Sequence, residues 1–357
     1  MRLGFRFTNR ESMRSCCATT SATANPLSAR SRPGADRSGF LTVAFMLTAL
    51  AVLLPAAAPA SVIFGKDNDA NRSDPGNGLS WRSVGRVLTQ NGALDSHGGC
   101  VVYLGNRFAL TAEHVRLFDA VTFDGTSTSA VDRTFRPVSL PNKVDLKIFR
   151  LHSDPGVPGV PLPGPAQSED FSPLNRVWHV GFGVGRAPGT ALDARQIPWG
   201  GPETCAKRWS ANVLRGKILH RDMDEGNDYA YEALVTVLGH PAGQPAGLTE
   251  NEGGITALDS GSALFQQREG VWYLIGIATD VSRYGSNTSL FGNDRTDGLE
   301  AGDSNFFVRL TAYRNEITAA MTRRQWPSLR LRHLAAGAAI LLAIVLGLVW
   351  RKRRPPA

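Results

Sequence analysis

The sequence predicts an all-β domain, a sandwich or a barrel, with an apolar segment at each end. Three observations predict it. Residues 61–322 hold short runs rich in β-branched and aromatic residues, cut by Gly, Pro, Asn and Asp: WRSVGRVL, CVVYL, RFALTA, DAVTF, KVDLKIFRL, RVWHVGFGVG, EALVTVLG, SALFQ and VWYLIGIATDV. Runs of this length with turn signals between them mark many-stranded β folds. The same span has no heptads, no solenoid period and no long helical pattern. The Pro/Gly stretch DPGVPGVPLPGPAQ (154–167) divides it into halves of similar strand content. That stretch reads as a linker between two β subdomains, about 61–153 and about 168–308.

From the start of the chain, the first element is a candidate export signal. FLTVAFMLTALAVLLPAAAPA (40–60) follows a basic stretch and ends in Ala58-Pro59-Ala60. This is the build of a signal peptide over residues 1–60, with a long basic leader and a cleavage site before Ser61. A true start at Met13, or an uncleaved signal anchor, are the alternatives. The β region follows. Its last stretch, RLTAYRNEITAAMTRRQW, places Leu310, Tyr313, Ile317 and Met321 at helical spacing and predicts a terminal amphipathic helix over 309–322. A basic juxtamembrane segment (323–333) leads to LAAGAAILLAIVLGLVW (334–350) and the basic tail 351–357. Seventeen apolar residues before Arg351-Lys352-Arg353-Arg354 predict a membrane-spanning helix at the short end of the range.

Length and charge constrain function. A chain of 357 residues allows one large domain or two ordinary ones, and 42% hydrophobic with 20% charged residues is a globular composition. The net charge of +8 is unevenly spread. Residues 1–38 carry seven Arg against Glu11 and Asp36, so +5; residues 323–357 carry eight Lys or Arg and no acid, so +8; residues 39–322 are left with −5. The basic ends flank apolar segments, as membrane topology requires, and the globular part is acidic, which excludes a nucleic-acid partner. Positive charge stays cytoplasmic, so residues 61 to about 325 are expected outside, in the periplasm or at the cell surface.

FALTAEHVRLF (108–118) breaks a strand-like run at His114. A hydrolytic nucleophile needs a base beside it and a group that orients the base. TALDSGSALF offers Ser260 in a tight polar turn whose N–H groups can face an oxyanion. KVDLKIFRL places Asp145 among apolar residues, where a carboxylate needs a partner.

These segments, in this order, resemble the trypsin-like serine proteases over roughly residues 62–322. GGCVVYLGNRFALTAEHV resembles the family's Gly-Gly-Ser strand and Thr-Ala-Ala-His-Cys, VDLKIFRL its Asp-Ile-Ala-Leu segment, and GFG (181–183) its Gly-Trp-Gly. LDSGSALF resembles Gly-Asp-Ser-Gly-Gly-Pro-Leu, LIGIATD the strand lining the substrate cleft, and NFFVRLTAYRNEI the closing strand and helix. The resemblance implies two six-stranded antiparallel β-barrels with a C-terminal helix. It implies a serine endopeptidase in which Ser260 attacks, His114 shuttles the proton and Asp145 orients the imidazole. Its partners would be a peptide or protein substrate and, through the C-terminal helix, the membrane. It places the oxyanion-hole N–H groups on Leu258 and Ser260, the activation pairing on Val62 and Asp259, and the substrate cleft on Gly254, Thr279 and Asp280.

The chain departs from the family at several of these points. Leu258 stands where the family has glycine, and glycine admits backbone conformations that cost leucine free energy. Asp280 replaces a tryptophan, Gly254 stands where Arg/Lys-specific members carry Asp, and Glu113 beside His114 needs a partner. These departures leave an impaired pseudoprotease, an anchored binding module, as the rival reading. A signal cut before Ser61 leaves one residue ahead of Val62. The family's disulfide around the histidine is absent, its places held by His97 and Val115. Cys100 and Cys205 of the exported part either pair or stay as buried thiols. The tail resembles bacterial sorting tails, which implies an envelope sorting enzyme as a further partner, but it lacks their Pro-Glu-Pro or Gly-Gly motif; a plain anchor is the expectation.

No cofactor or metal is expected. The acidic stretch 222–232, with Asp222, Asp224 and Asp228, has Ala233 where a calcium loop closes on Glu, and reads as a solvated loop. His97, His152, His179, His220, His240 and His333 show no ligand spacing, and no phosphate-binding glycine motif occurs.

Overall fold

The structure is a computed structural model. It describes residues 61–323 apart from 68, 89–98, 166, 173, 193–195, 223–227, 240–249, 283–286 and 293–301. The expected signal peptide, the segment 334–350 and the basic tail lie outside the described residues. Among the described residues no helix is long and apolar enough to cross a membrane.

The strands are β1 (Val62–Ile63), β2 (Val84–Leu88), β3 (Cys100–Gly105), β4 (Phe108–Thr111), β5 (Ala120–Thr122), β6 (Thr128–Ala130), β7 (Val138–Ser139) and β8 (Lys147–Arg150) in the first part of the chain. The rest are β9 (Arg176–Gly181), β10 (Gln196–Pro198), β11 (Arg208–Val213), β12 (Gly216–Asp222), β13 (Tyr229–Val237), β14 (Gly253–Gly254), β15 (Ala263–Arg268), β16 (Val271–Val281), β17 (Thr288–Leu290) and β18 (Ser304–Arg309). The fold is all-β, as expected, and every strand pair is antiparallel.

Two sheets of seven strands hold the domain, ordered β6-β5-β2-β3-β4-β8-β7 and β11-β9-β15-β16-β18-β13-β12. Six strands were expected in each. In the first sheet six of them close a ring: Val131 bridges Leu151, Asp132 N–H donates to Arg150 O at 2.8 Å and His152 N–H to Ala130 O at 2.8 Å. The seventh, β7, only pairs with β8 at the rim. In the second sheet β11 curls back toward β13, where Arg215 N–H reaches Val235 O at 2.8 Å and Asn212 Nδ2 reaches Val237 O. There β12 is the added hairpin strand.

Two hairpins set the positions that matter for function. Asn106 (φ 51°) and Arg107 (φ 67°) join β3 to β4, and Glu269 (φ 48°) and Gly270 (φ 78°) join β15 to β16. Positive φ at both turn residues matches the twist of the flanking strands. The first hairpin returns Thr111 beside Cys100 (Thr111 Oγ1 to Cys100 O, 2.7 Å). The second returns Ala278 beside Ser262 (Ala278 N–H to Ser262 O, 2.9 Å).

The core has three parts. Val101, Tyr103, Val121 and Phe149 fill the first sheet; Leu234, Leu264, Ile275 and Phe307 fill the second. A third cluster lies between them, where Val84, Leu110 and Ile148 meet Phe265, Leu274 and Val308. Each such side chain contributes about 1.5–3 kcal/mol when fully buried. The described residues of 154–167 carry no strand. They cross between the sheets: Val160 N–H donates to Tyr103 O in one, and Pro161 O accepts from Leu274 N–H in the other, each at 3.1 Å.

Two boundaries differ from expectation. Residues 61–63 were expected in the first subdomain, but Val62 and Ile63 pair with Gly254 and Gly253 in the second. Val62 is packed among Leu238, Ile255 and Phe307, so burial there decides its partner. The terminal helix, α1, spans Arg314–Thr322 and not 309–322. Residues before it form tight turns (Ala312 N–H to Arg309 O, Tyr313 N–H to Leu310 O), while Leu310 and Ile317 are buried in the shared cluster.

Candidate active site

His114 lies just beyond β4, in a turn that Val115 N–H closes on Ala112 O at 3.2 Å. Asp145 was expected inside a strand. It stands instead just before β8, at the apex of a three-residue turn closed by Leu146 N–H to Val144 O at 2.7 Å. The turn aims its carboxylate sideways at His114. Oδ2 lies 2.7 Å from His114 Nδ1, and Oδ1 accepts the His114 backbone N–H at 3.1 Å. The Asp145 side chain is 0% exposed and that of His114 27%. A carboxylate only accepts, so Nδ1 carries the proton and Nε2 is left as the basic nitrogen. Burial works against the imidazolium, but the hydrogen bond and charge of Asp145 outweigh it; Asp222 adds to them and Lys147 opposes. The His114 pKa ends above its ordinary value.

Glu113 finds its partner in Lys147, whose Nζ stands 3.9 Å from Glu113 Oε1 and donates to the Glu113 carbonyl at 2.5 Å. Desolvation lowers the Lys147 pKa, with Glu113 and Asp145 opposing.

The segment 256–262 is a polar turn in the second half. Asp259 N–H donates to Thr256 O, Gly261 N–H to Ala278 O, and Ser262 N–H to Asp259 O. Among the described residues no acceptor takes the N–H of Leu258 or of Ser260. Leu258 has φ 70°, a left-handed conformation that costs a non-glycine residue about 1–2 kcal/mol. Such strain is typically held at functional sites. Gly261 (φ 85°) is required for fit: a Cβ there would overlap Cys100 O and Thr111 Oγ1. The Ser260 carbonyl accepts from Cys100 N–H at 2.7 Å. A Cβ on Gly99 would overlap both Ser260 O and Val115 Cγ2, so the serine turn and the residue after His114 press on the same glycine. Among the described residues no hydrogen bond joins Ser260 Oγ to His114 Nε2.

Asp259 is fully buried and accepts from Gly183 N–H (2.6 Å), Thr256 N–H (2.9 Å), Thr256 Oγ1 (3.0 Å) and Ser61 Oγ (3.4 Å). The side chain that reaches it from the start of the domain is therefore Ser61, one residue before Val62. Ser61 Oγ also lies 3.4 Å from His179 Nδ1, and His179 Nε2 lies 2.6 Å from Ser262 Oγ. Burial lowers the His179 pKa, against the opposing charge of Asp259.

The expected cleft residues fall on two strands of different sheets, β14 and β16. Gly254 lies in β14 opposite Val62, and a Cβ there would overlap the Asn305 side chain. A register shift between Ala278 and Asp280 marks a bulge at Thr279 in β16, and bulges re-aim side chains. Thr279 Oγ1 meets Tyr231 OH at 2.7 Å; Asp280 Oδ2 lies 3.1 Å from His220 Nε2, whose ring stacks on Phe306 at 4.1 Å. Asp224 of the acidic stretch lies outside the described residues, as do His97, His240 and His333; Asp228 pairs with Lys143.

Cys100 and Cys205 are free and both buried. The pairing left open by the sequence does not form. Cys100 Sγ instead accepts from Phe182 N–H at 3.1 Å and approaches Leu258 O at 3.6 Å. Sequence reasoning left Cys100 as half of a disulfide or a buried thiol, and its place three residues after His97 carried no signal of this contact.

No family model matches the chain, and no curated protein matches it. Among solved structures, the inactive form of a serine-to-alanine mutant of Rv3671c from M. tuberculosis H37Rv aligns over 71% of this chain and 94% of that one, with 14% identity and a TM-score of 0.40.

Proposed function

We propose that this chain is a serine endopeptidase, exported and held at the cell envelope by its C-terminal apolar segment. The observation that carries the reading is the His114–Asp145 pair: a fully buried carboxylate spends both oxygens on one partly exposed histidine. A general base needs a free basic nitrogen, and the commitment of Nδ1 to Asp145 leaves His114 Nε2 for that role. Ser260 attacks the scissile carbonyl, and His114 Nε2 takes its proton and returns it to the leaving amine. Asp145 holds the tautomer and stabilises the imidazolium. The N–H groups of Leu258 and Ser260 receive the oxyanion. The left-handed φ of Leu258 supports this, because the leucine already adopts the conformation that glycine would favour at this position.

The rival is a binding module on the same scaffold. The observation that favours it is that Ser260 Oγ makes no hydrogen bond to His114 among the described residues. Catalytic hydrogen bonds are often long before substrate binds, so this weighs less than the pair.

The test is to react the purified full chain and its Ser260→Ala variant with a fluorophosphonate and to sequence the N-terminus of the same sample. Labelling of wild type alone supports the enzyme, and the sequenced end tells whether Ser61 or Val62 leads. An unlabelled, folded, processed wild type sinks the protease reading in favour of the binding module.

A further inference from the structure

The N–H, the carbonyl and the thiol hydrogen of Cys100 each reach the candidate active site. Its N–H donates to Ser260 O at 2.7 Å, its carbonyl accepts from Thr111 Oγ1 at 2.7 Å, and its thiol points at Leu258 O at 3.6 Å while Sγ accepts from Phe182 N–H. Thr111 is three residues before His114. One residue of the first half therefore touches the histidine strand and, at two points, the serine turn of the second half.

The two points are informative. The carbonyls of Leu258 and Ser260 flank Asp259, and both bind Cys100. The intervening and following N–H groups are used inside the turn or on β16. What remains are the N–H groups of Leu258 and Ser260. Leu258 pays for its φ of 70° with strain, and strain persists only where surrounding contacts over-determine it. The thiol supplies one such contact.

We propose that Cys100 is a positioning residue: its thiol and backbone N–H clamp the Leu258 and Ser260 carbonyls and so hold the oxyanion-binding N–H groups of those two residues in place. This rests on the serine-protease reading above. Burial pushes the thiol pKa well above its ordinary value, which favours the protonated, donating form of Sγ. Cys100 is also 0% exposed, so the thiol is shielded from oxidants outside the cell.

The test uses the purified full chain with Cys100→Val, Cys100→Ala and Cys100→Ser. The limiting rate of fluorophosphonate labelling and its half-saturating concentration are measured separately, with the melting temperature of each variant. Removing a whole oxyanion donor typically costs about 10^2–10^3 in rate, so loosening the turn is expected to slow the limiting step about tenfold in Val and Ala. The half-saturating concentration is expected to stay unchanged. Serine, which keeps a donor on the same Cβ, recovers most of the loss. Wild-type rates in Val and Ala overturn the proposal. So does equal loss in all three variants, or a loss that only follows melting temperature. If wild type itself does not label, the protease reading fails and the positioning role falls with it; if wild type labels and the variants match it, only the positioning role fails.

Discussion

Asp145 and Asp259 are both 0% exposed, yet the fold treats them in opposite ways. Asp145 receives two donors from a single residue, His114. Asp259 receives four donors from Ser61, Gly183 and Thr256, which come from three separate segments. The first carboxylate puts its field into one titrating, partly exposed ring. The second ties the start of the domain, the loop after β9 and the serine turn together. A buried charge needs partners in either case. The choice of partners decides whether the charge serves chemistry or architecture.

That contrast can be broken by exchange of the two acids for amides. Asp145→Asn is expected to cut the limiting labelling rate by about 10^4, because the amide no longer enforces the imidazole tautomer, and to change stability little. Unchanged labelling would detach Asp145 from the chemistry. Asp259→Asn is expected to show the reverse weighting. Its NH2 faces donors and leaves buried N–H groups unpaired, at a cost of about 3 kcal/mol. For a domain of this size that is a fall of roughly 6–12 °C in melting temperature. Gly183→Ala should act like it, because a Cβ there would overlap the Asp259 carboxylate. If Asp259→Asn melts as wild type does, the architectural role is wrong.

A smaller effect sharpens the comparison through pH. Labelling needs neutral His114, whose pKa is raised, so the acid limb should have its midpoint above the ordinary histidine value of about 6.5. Asp222→Asn removes one of the raising charges and should move the midpoint down. Stability runs the other way. The folded state favours the protonated ring, so that contribution is full below the unfolded pKa and is lost as pH rises through the folded one. A midpoint unmoved by Asp222→Asn would remove that residue from the field at His114.

The smallest effect is expected at Leu258. Leu258→Gly relieves about 1–2 kcal/mol of left-handed strain and gives up part of the apolar contact with the second core. Labelling should stay within about threefold of wild type, since the turn already has a glycine-like conformation. A collapse of labelling would mean that the leucine side chain itself supports the site.

The β content and the terminal helix were legible because they rest on local rules. Alternation, turn residues and helical spacing act over a few positions. The three candidate residues stood out on local context too: His114 breaks a strand-like run, Asp145 sits among apolar residues, and Ser260 lies in a tight glycine-bearing polar turn. The rest required the tertiary structure. That Val62 joins the second half, that Ser61 reaches Asp259 across 198 positions, that Asp145 rides a turn and that Cys100 clasps the serine turn instead of Cys205 are all long-range outcomes. No local preference encodes them. They follow from which apolar faces pack together and from the strong preference of buried carboxylates, carbonyls and N–H groups for a partner there.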